Sequence, residues 1–293
     1  MTLSDTILKS IEGKTKISIS HSHSISGGDI SDAFLLQTDK GQFFLKLNDS
    51  PLAYDLFQKE TMGLALLSAH INTPKVISYG KIEQATGTNS SAFLLLEYIK
   101  SGYRNAAFWQ NLGRGLATLH QVTAAQFGLD HNNYIGRLPQ SNNPDNYRDA
   151  TDWSTFYRKK RLQPQVKMAY DRQLLPAPLL PCFDKLYHQL PELCPIEKPT
   201  LIHGDLWSGN FMVSQYQKAY FIDPSVCYAH REMDLAMALL FGGFDERFYS
   251  SYEEALPVEP NFSERVSIYQ LYYLLVHLNL FGKSYLGSVE RIV

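Results

Sequence analysis

The sequence predicts an α+β fold in two lobes: a small N-terminal lobe on an antiparallel β-sheet with one key helix, and a larger, mostly helical C-terminal lobe. Two observations carry this. Residues 15–48 hold three β-branched or alternating runs separated by turn residues, the pattern of strands. Beyond residue 102 apolar side chains recur three and four positions apart, the spacing of helices. The boundary falls near Gly102, giving lobes of 1–102 and 103–293. At 293 residues, 44% of them hydrophobic, the chain can build both lobes and their cores.

The elements follow in order. "TKISISHSHSI" (15–25) reads as a strand, and "GGD" (27–29) turns the chain into "SDAFLLQTD" (31–39). A "DKG" turn leads to "QFFLKLN" (42–48), so two hairpins stand in a row. "PLAYDLFQKETMGLALLSAH" (51–70) starts with Pro at a permitted position, and Leu56, Phe57, Glu60, Leu64 and Leu67 share one helical stripe. "SAFLLLEYIKSG" (91–102) is an apolar strand ending in Gly. Phe108, Leu112, Leu116 and Leu119 mark the first helix beyond the boundary. Residues 132–146 are a loop by composition, and 152–170 and 176–190 are helices punctuated by Pro164, Pro176 and Pro181. "KAYFID" (218–223) is a strand; 231–243 and most of 246–290 are helical.

Composition excludes some functions. With 27 basic against 29 acidic side chains, the formal charge of −2 argues against a general nucleic-acid binder. The start has no basic end followed by a long apolar run, so no secretory signal is expected. The apolar stretch 271–281 is about half the length needed to cross a bilayer. Cys182, Cys194 and Cys227 form no CxxC pair and no even set. They fit free thiols in a reducing cytoplasm. A monomer is favoured.

The most informative stretch is "LIHGDLWSGNFMV" (201–213), too polar between its apolar flanks to be core. Asp205 and Asn210 stand five apart, the spacing of base and magnesium-binding asparagine in a kinase catalytic loop. Asp223 ends a predicted strand eighteen residues after Asp205 and suits a hard Mg²⁺ ion. Upstream, Lys46 interrupts an apolar strand, a costly placement unless an anion meets it; an edge lysine guarding against aggregation is the alternative. Glu60, fourteen residues later on the inner stripe of the next helix, completes an ion pair aimed at ATP phosphates. Gly27 and Gly28 let the backbone approach phosphate oxygens, or simply form a hairpin turn. Glu97, Tyr98 and Ile99 offer an adenine-binding connector, or an ordinary strand. The set gives every task of phosphoryl transfer a candidate, in kinase order. Folding is expected to gather Lys46, Asp205, Asn210 and Asp223 around one metal–triphosphate pocket between the lobes.

Two absences refine this. The loop reads His203-Gly204-Asp205, without the arginine that would answer a phosphorylated activation loop. Asp223 is followed by Pro224-Ser225, and a helix begins within ten residues, leaving little room for a peptide-docking segment. A small acceptor and constitutive activity follow. Asp234 on that helix is expected to brace the catalytic loop. His21 and His23 share a strand face, where a surface position is preferred over a metal site because no third ligand is suggested. "RKKR" (158–161) reads as an anion attractor or a solvated helix face, and Arg161 as structural or cleft-facing.

"HGDLWSGN", "FIDPSVCYAHREMDLAM", "FGLDHNNYIGRLPQSN", "DWSTFYRKKRLQPQ" and "IYQLYYLLVHLNLFGKSY" together resemble the fructosamine-3-kinase (ketosamine kinase) family, within the aminoglycoside phosphotransferase-like and protein-kinase-like enzymes. The resemblance covers nearly the whole chain. It implies a protein-kinase-like bilobal fold and ATP-dependent phosphorylation of the sugar 3-hydroxyl in ketosamines, free or protein-bound. The unstable 3-phosphate would then be lost and the amine freed. It implies Asp205 as base, Asn210 and Asp223 as magnesium ligands, and Lys46 with Glu60 as the phosphate-positioning pair. Trp207 would form a face of the acceptor pocket, with His277 and Asn279 lining it or else serving as polar groups in a helix interface. The cysteine that some members carry in the Gly-rich strand pair is missing here, so redox-linked dimerisation does not carry over. Another hydroxylated amine as acceptor, or a non-catalytic nucleotide-binding module, are the competing readings.

Overall fold

A computed structural model of the chain describes residues 3–25, 31–82 and 91–293. In chain order it holds helix α1 (Asp5–Thr15), strands β1 (Ile19–Ile25), β2 (Asp32–Thr38) and β3 (Gly41–Asn48), helix α2 (Ala53–Ser68), and strands β4 (Val76–Lys81) and β5 (Ala92–Glu97). Helix α3 (Ala106–Leu119) follows, then a short hairpin, β6 (Asn133–Ile135) and β7 (Leu138–Gln140). Helices α4 (Tyr147–Thr151) and α5 (Trp153–Tyr157) lead through a π-turn (Arg158–Leu162) into α6 (Gln163–Asp171) and on to α7 (Leu180–Leu193). Four three-residue strands come next: β8 (Thr200–Ile202), β9 (Phe211–Val213), β10 (Ala219–Phe221) and β11 (Cys227–Ala229). Helices α8 (Glu232–Leu240), α9 (Glu246–Ala255), α10 (Phe262–Phe281) and α11 (Leu286–Glu290) end the chain. The α+β class and the N-terminal antiparallel sheet are as expected.

The chain forms two compact units: Met1–Arg104 with Met212–Asp223, and Asn105–Phe211 with Pro224–Val293. The sequence reading put everything after residue 102 in the second lobe; segment 212–223 instead packs with the first. Backbone hydrogen bonds explain this. Gly102 donates to Val213 (2.9 Å), Gln215 to Lys100 (2.8 Å) and Phe221 to Asn72 (2.9 Å). A Cβ at Gly102 would lie 2.3 Å from the Ser214 carbonyl oxygen. Glycine is required there for backbone approach, not only to end a strand.

In the first unit the sheet runs β1-β2-β3-β5-β4, antiparallel throughout. Leu45 and Leu47 pack with Phe34, Leu36, Phe93 and Ile11 of α1 on one face. Phe44, Leu94 and Leu96 pack with Ala53, Phe57 and Leu64 of α2 on the other. Each buried Leu or Phe contributes about 1.5–3 kcal/mol. The period of two then sets Lys46 on the α2 face, beside Phe44.

Several expectations are corrected. Helix α1 precedes the first strand; Ser4 accepts from the Ile7 amide at its start, and Lys16, at φ 56°, closes it in the left-handed region. Strand β4 is an addition, and the strand expected over 91–102 stops at Glu97. The loop 132–146 holds the β6–β7 hairpin. The helix expected over 152–170 widens at 158–162, where Gln163 donates to the Arg158 carbonyl five residues back. Pro164 lacks an amide hydrogen, so the helix rearranges just before it.

The second unit is organised on α10, whose Leu271, Tyr272, Leu275 and Leu278 are fully or almost fully buried. The apolar stretch 271–281 is the middle and end of this helix. Among the described residues no helix is long and apolar enough to cross a membrane. Cys194 and Cys227 are buried and Cys182 half-buried, all as free thiols.

His230 is fully buried, stacked on Tyr269 with ring centroids 5.4 Å apart. Burial pushes its pKa down to about 3, helped by the charges of Arg231 and Arg265. Glu197 lies 3.4 Å from its Nε2, but Arg231 already holds that carboxylate at 2.8 and 3.0 Å. Between about pH 6.5 and 3 the unfolded chain binds a proton that the folded one does not, so stability falls as pH falls. This group alone should remove ~2 kcal/mol between pH 7 and 5. Chemical denaturation of wild type and His230→Gln at both pH values checks it: the variant should show the smaller acid loss, and equal losses would contradict the assignment.

Candidate active site

Lys46, Glu60 and Asp223 meet within the first unit. The Lys46 ammonium donates to Glu60 Oε1 (2.8 Å) and to Asp223 Oδ1. The Lys46 and Glu60 side chains are nearly buried, while Asp223 is 39% exposed. Burial alone would lower the Lys46 pKa; the Asp223 and Glu60 carboxylates outweigh it and raise it, so the ammonium stays charged. Burial pushes the Glu60 carboxyl up to about 7 against the pull of Lys46. One ammonium thus serves two carboxylates, and the more exposed one, Asp223, is the atom set a further cation can reach. Asp223 sits at φ 53°, in the left-handed region. A non-glycine residue held there costs on the order of 1–3 kcal/mol, a strain that clusters at functional positions.

The second unit carries the catalytic loop between β8 and β9. Asn210 is buried, and its Nδ2 donates to the Asp205 carbonyl (2.8 Å) and to Asp205 Oδ2 (3.0 Å). The five-residue spacing therefore folds back on itself, and the amide oxygen of Asn210 is not spent on either bond. The loop is gripped from inside. The fully buried Asp234 of α8 accepts the His203 amide at Oδ2 (2.7 Å) and the Gly204 amide at Oδ1 (2.8 Å), the bracing role expected of it. Gly204 is at φ 84°, and a Cβ there would stand 2.0 Å from the Ser225 carbonyl oxygen; no other residue fits.

Each of the two expected ligands carries an oxygen of the kind that suits magnesium. Asp223 and Asn210 offer hard carboxylate and carboxamide oxygens. Among the described residues no three His, Cys, Asp or Glu side chains gather into a metal site.

The remaining sequence candidates are placed as follows. Trp207 is 37% exposed, its ring pressed on Gly209, where a Cβ would lie 2.4 Å away. His277, half-buried on α10, is surrounded by Phe241, Phe281 and Tyr285 with ring centroids 4.8, 5.5 and 5.1 Å away. Phe241 and Phe281 are exposed. Asn279 is buried and its Nδ2 donates to the carbonyl and Oε1 of Gln165 on α6 (3.0 and 2.9 Å), which is a helix-packing contact. Glu97 ends β5 and its amide donates to the Lys75 carbonyl (2.8 Å); Tyr98 and Ile99 follow it directly, Ile99 buried. Gly27 and Gly28 lie outside the described residues. His21 and His23 stack 6.5 Å apart with no third ligand among the described residues. In "RKKR", Lys159 pairs with Asp149 and Lys160 with Asp145. Arg161 is buried, so neither an anion attractor nor a solvated face describes this run.

Sequence reasoning missed the support behind Asp234. His120 Nε2 lies 3.2 Å from Asp234 Oδ2, and its Nδ1 lies 2.8 Å from the Tyr252 hydroxyl. His120 stands more than a hundred positions before both Asp234 and Tyr252, and no motif links them.

The comparisons agree with this geometry. The fructosamine kinase family matches residues 2–293. A Lactiplantibacillus plantarum protein named "Probable ketoamine kinase" is 41% identical over 274 residues, 92% of this chain and 91% of that one. A Thermobifida fusca crystal structure described as a "putative fructosamine-3-kinase" is 28% identical, covers 99% of this chain and 98% of its own, and superposes with a TM-score of 0.85. The aminoglycoside phosphotransferase APH(4)-Ia, 16% identical with a TM-score of 0.62 over 98% of this chain and 97% of its own, shares the fold. The chain belongs to the fructosamine kinase family.

Proposed function

We propose that this protein transfers the γ-phosphoryl group of ATP to the sugar 3-hydroxyl of ketosamines, the rearranged adducts of sugars with amines. The single observation that carries the reading is the Asp205–Asn210 pairing inside a loop whose backbone is pinned by Asp234. Such pinning sets a carboxylate rigidly, which phosphoryl transfer requires, since its catalysis is mostly positioning.

Asp205 orients the 3-hydroxyl and takes its proton as the oxygen–phosphorus bond forms and the bond to the β-phosphate oxygen breaks, releasing ADP. Asn210 fixes that carboxylate through Oδ2. Lys46, held by Glu60, meets the α/β-phosphates. Asn210 and Asp223 would hold magnesium, which when bound would neutralise charge on the phosphate oxygens. Backbone groups of Glu97, Tyr98 and Ile99 receive the adenine edge. On the acceptor side, the exposed face of Trp207 and the ring cluster at His277 suit the apolar face of a sugar and its attached alkylamine, because aromatic faces attract both C–H surfaces and ammonium groups. The acceptor is a free or protein-bound adduct.

Incubation with Mg·ATP and synthetic ribulosyl- and fructosyl-lysine, with the product located by NMR, tests this: phosphate on the 3-oxygen is expected. Turnover of an aminoglycoside with none of a ketosamine would overturn it. Asp205→Asn should lower kcat by at least about 100-fold while Mg·ATP affinity stays nearly intact; wild-type kcat would refute the role. Asp223→Ala should abolish magnesium-dependent nucleotide binding in calorimetry, and unchanged Mg·ATP affinity would count against it.

A further inference from the structure

Behind the catalytic loop the second unit contains a connected set of buried polar side chains that phosphoryl transfer, as described above, does not use: Asn133, Gln140, Asn142, Arg161, Ser225 and Tyr272, each no more than 5% exposed. The set begins at Arg161, turned inward by the π-turn. Its guanidinium donates to the Ser141 carbonyl (2.6 Å) and to Asn142 Oδ1 (2.8 Å) and lies over the Tyr272 ring. No carboxylate pairs with it among the described residues, although an unpaired buried charge is costly. Its two terminal nitrogens are met by neutral dipoles instead, and each dipole is thereby oriented.

The orientation propagates in one direction. Asn142 Nδ2 donates to Asn133 Oδ1 (2.7 Å), and Gln140 Nε2 donates to the same oxygen (2.9 Å) and to Ser225 Oγ (3.0 Å). The Tyr272 hydroxyl donates to Gln140 Oε1 (2.7 Å), which fixes the carboxamide's sense. Ser225 Oγ in turn donates to the Tyr134 carbonyl (2.7 Å), and Asn133 Nδ2 to the Val226 carbonyl (2.8 Å). The segment 225–226 is therefore held by side chains of the β6–β7 hairpin. Its own backbone reaches the catalytic loop: the Ser225 amide donates to the His203 carbonyl (2.9 Å), and the Ser225 carbonyl is the oxygen against which Gly204 is pressed.

We propose that Gln140 and Tyr272 are positioning residues for phosphoryl transfer: through Ser225 they hold the His203 carbonyl while Asp234 holds the His203 and Gly204 amides, and so fix where the Asp205 carboxylate points. The idea rests on Asp205 being the base. An interlocked network of this kind admits one arrangement of donors and acceptors. It gives the loop a permanent brace in a chain that lacks the arginine through which a phosphorylated segment would act.

The test compares Tyr272→Phe and Gln140→Met with Tyr157→Phe. Tyr157 neighbours Arg161 and Tyr272, but the bond of its buried hydroxyl is to the Ile268 carbonyl at 2.7 Å and to no side chain of this network. All are assayed well below their melting temperatures. Tyr272→Phe and Gln140→Met should lose about tenfold or more in kcat with KM for Mg·ATP within about twofold, whereas Tyr157→Phe loses stability but keeps kcat. Hydrogen exchange at the 203–206 amides, which needs no acceptor, should quicken in Tyr272→Phe and not in Tyr157→Phe. If wild type turns over no ketosamine, the function is wrong, and exchange still reads the brace. Unchanged exchange in Tyr272→Phe, or kcat within about twofold of wild type in both network variants, overturns the proposal; should Gln140→Met fail to fold, Tyr272→Phe alone decides.

Discussion

Two amide hydrogens donated to one buried carboxylate underlie the active loop. Asp234 has no contact with water, so an unpaired charge there would be prohibitively costly. The amides of His203 and Gly204 meet it at 2.7 and 2.8 Å, and charge-assisted bonds of this kind are the strong ones. They oblige the chain to turn at Gly204 in the left-handed region, and that turn sends Asp205 outward beside Asn210. The side chain proposed as the base is thus placed by one that is fully buried. His120 and Tyr252 close the shell around it, which makes the arrangement a property of helices α3, α8 and α9 rather than of the loop itself.

The first unit solves a different problem with the same means. A lysine on an apolar strand must be met by negative charge, and here two carboxylates meet it. Strand alternation puts Lys46 on the α2 face, helical spacing brings Glu60 to it, and the end of the β9–β10 hairpin delivers Asp223. Because 212–223 hydrogen-bonds to residues 72, 100 and 102, Asp223 belongs structurally with Lys46 despite following Asp205 in sequence. That explains why a single cut of the chain into N- and C-terminal lobes misplaces it.

Much of the site was readable in the sequence because its parts obey short periods. Lys46 and Glu60 follow from strand alternation and one helical stripe; Asp205 and Asn210 from a five-residue spacing; Asp234 from its place in the first turn of a helix. What escaped lacks such a period. Strands of three residues, such as β8 and β11, are too short to alternate. Helix α1 has a weak apolar face ahead of a β-branched run that dominates the pattern. The hairpin 133–140 is written in Asn, Gln, Pro and Gly, the vocabulary of an exposed loop, yet its carboxamides are buried and bonded to one another. Composition cannot distinguish a solvated carboxamide from one whose partner lies a hundred residues away. The basic run 158–161 misled for the same reason, since its carboxylate partners come from the preceding segment and Arg161 is turned inside by a helical irregularity at Pro164.

The account stands on Asp205 meeting the hydroxyl that becomes phosphorylated. A crystal structure of the protein with a non-hydrolysable ATP analogue, magnesium and a fructosyl-lysine acceptor measures that contact directly. It should show the sugar 3-oxygen within hydrogen-bond distance, about 2.6–3.2 Å, of the Asp205 carboxylate. An acceptor bound with a different hydroxyl there, or with its 3-oxygen directed to another side chain, would contradict it.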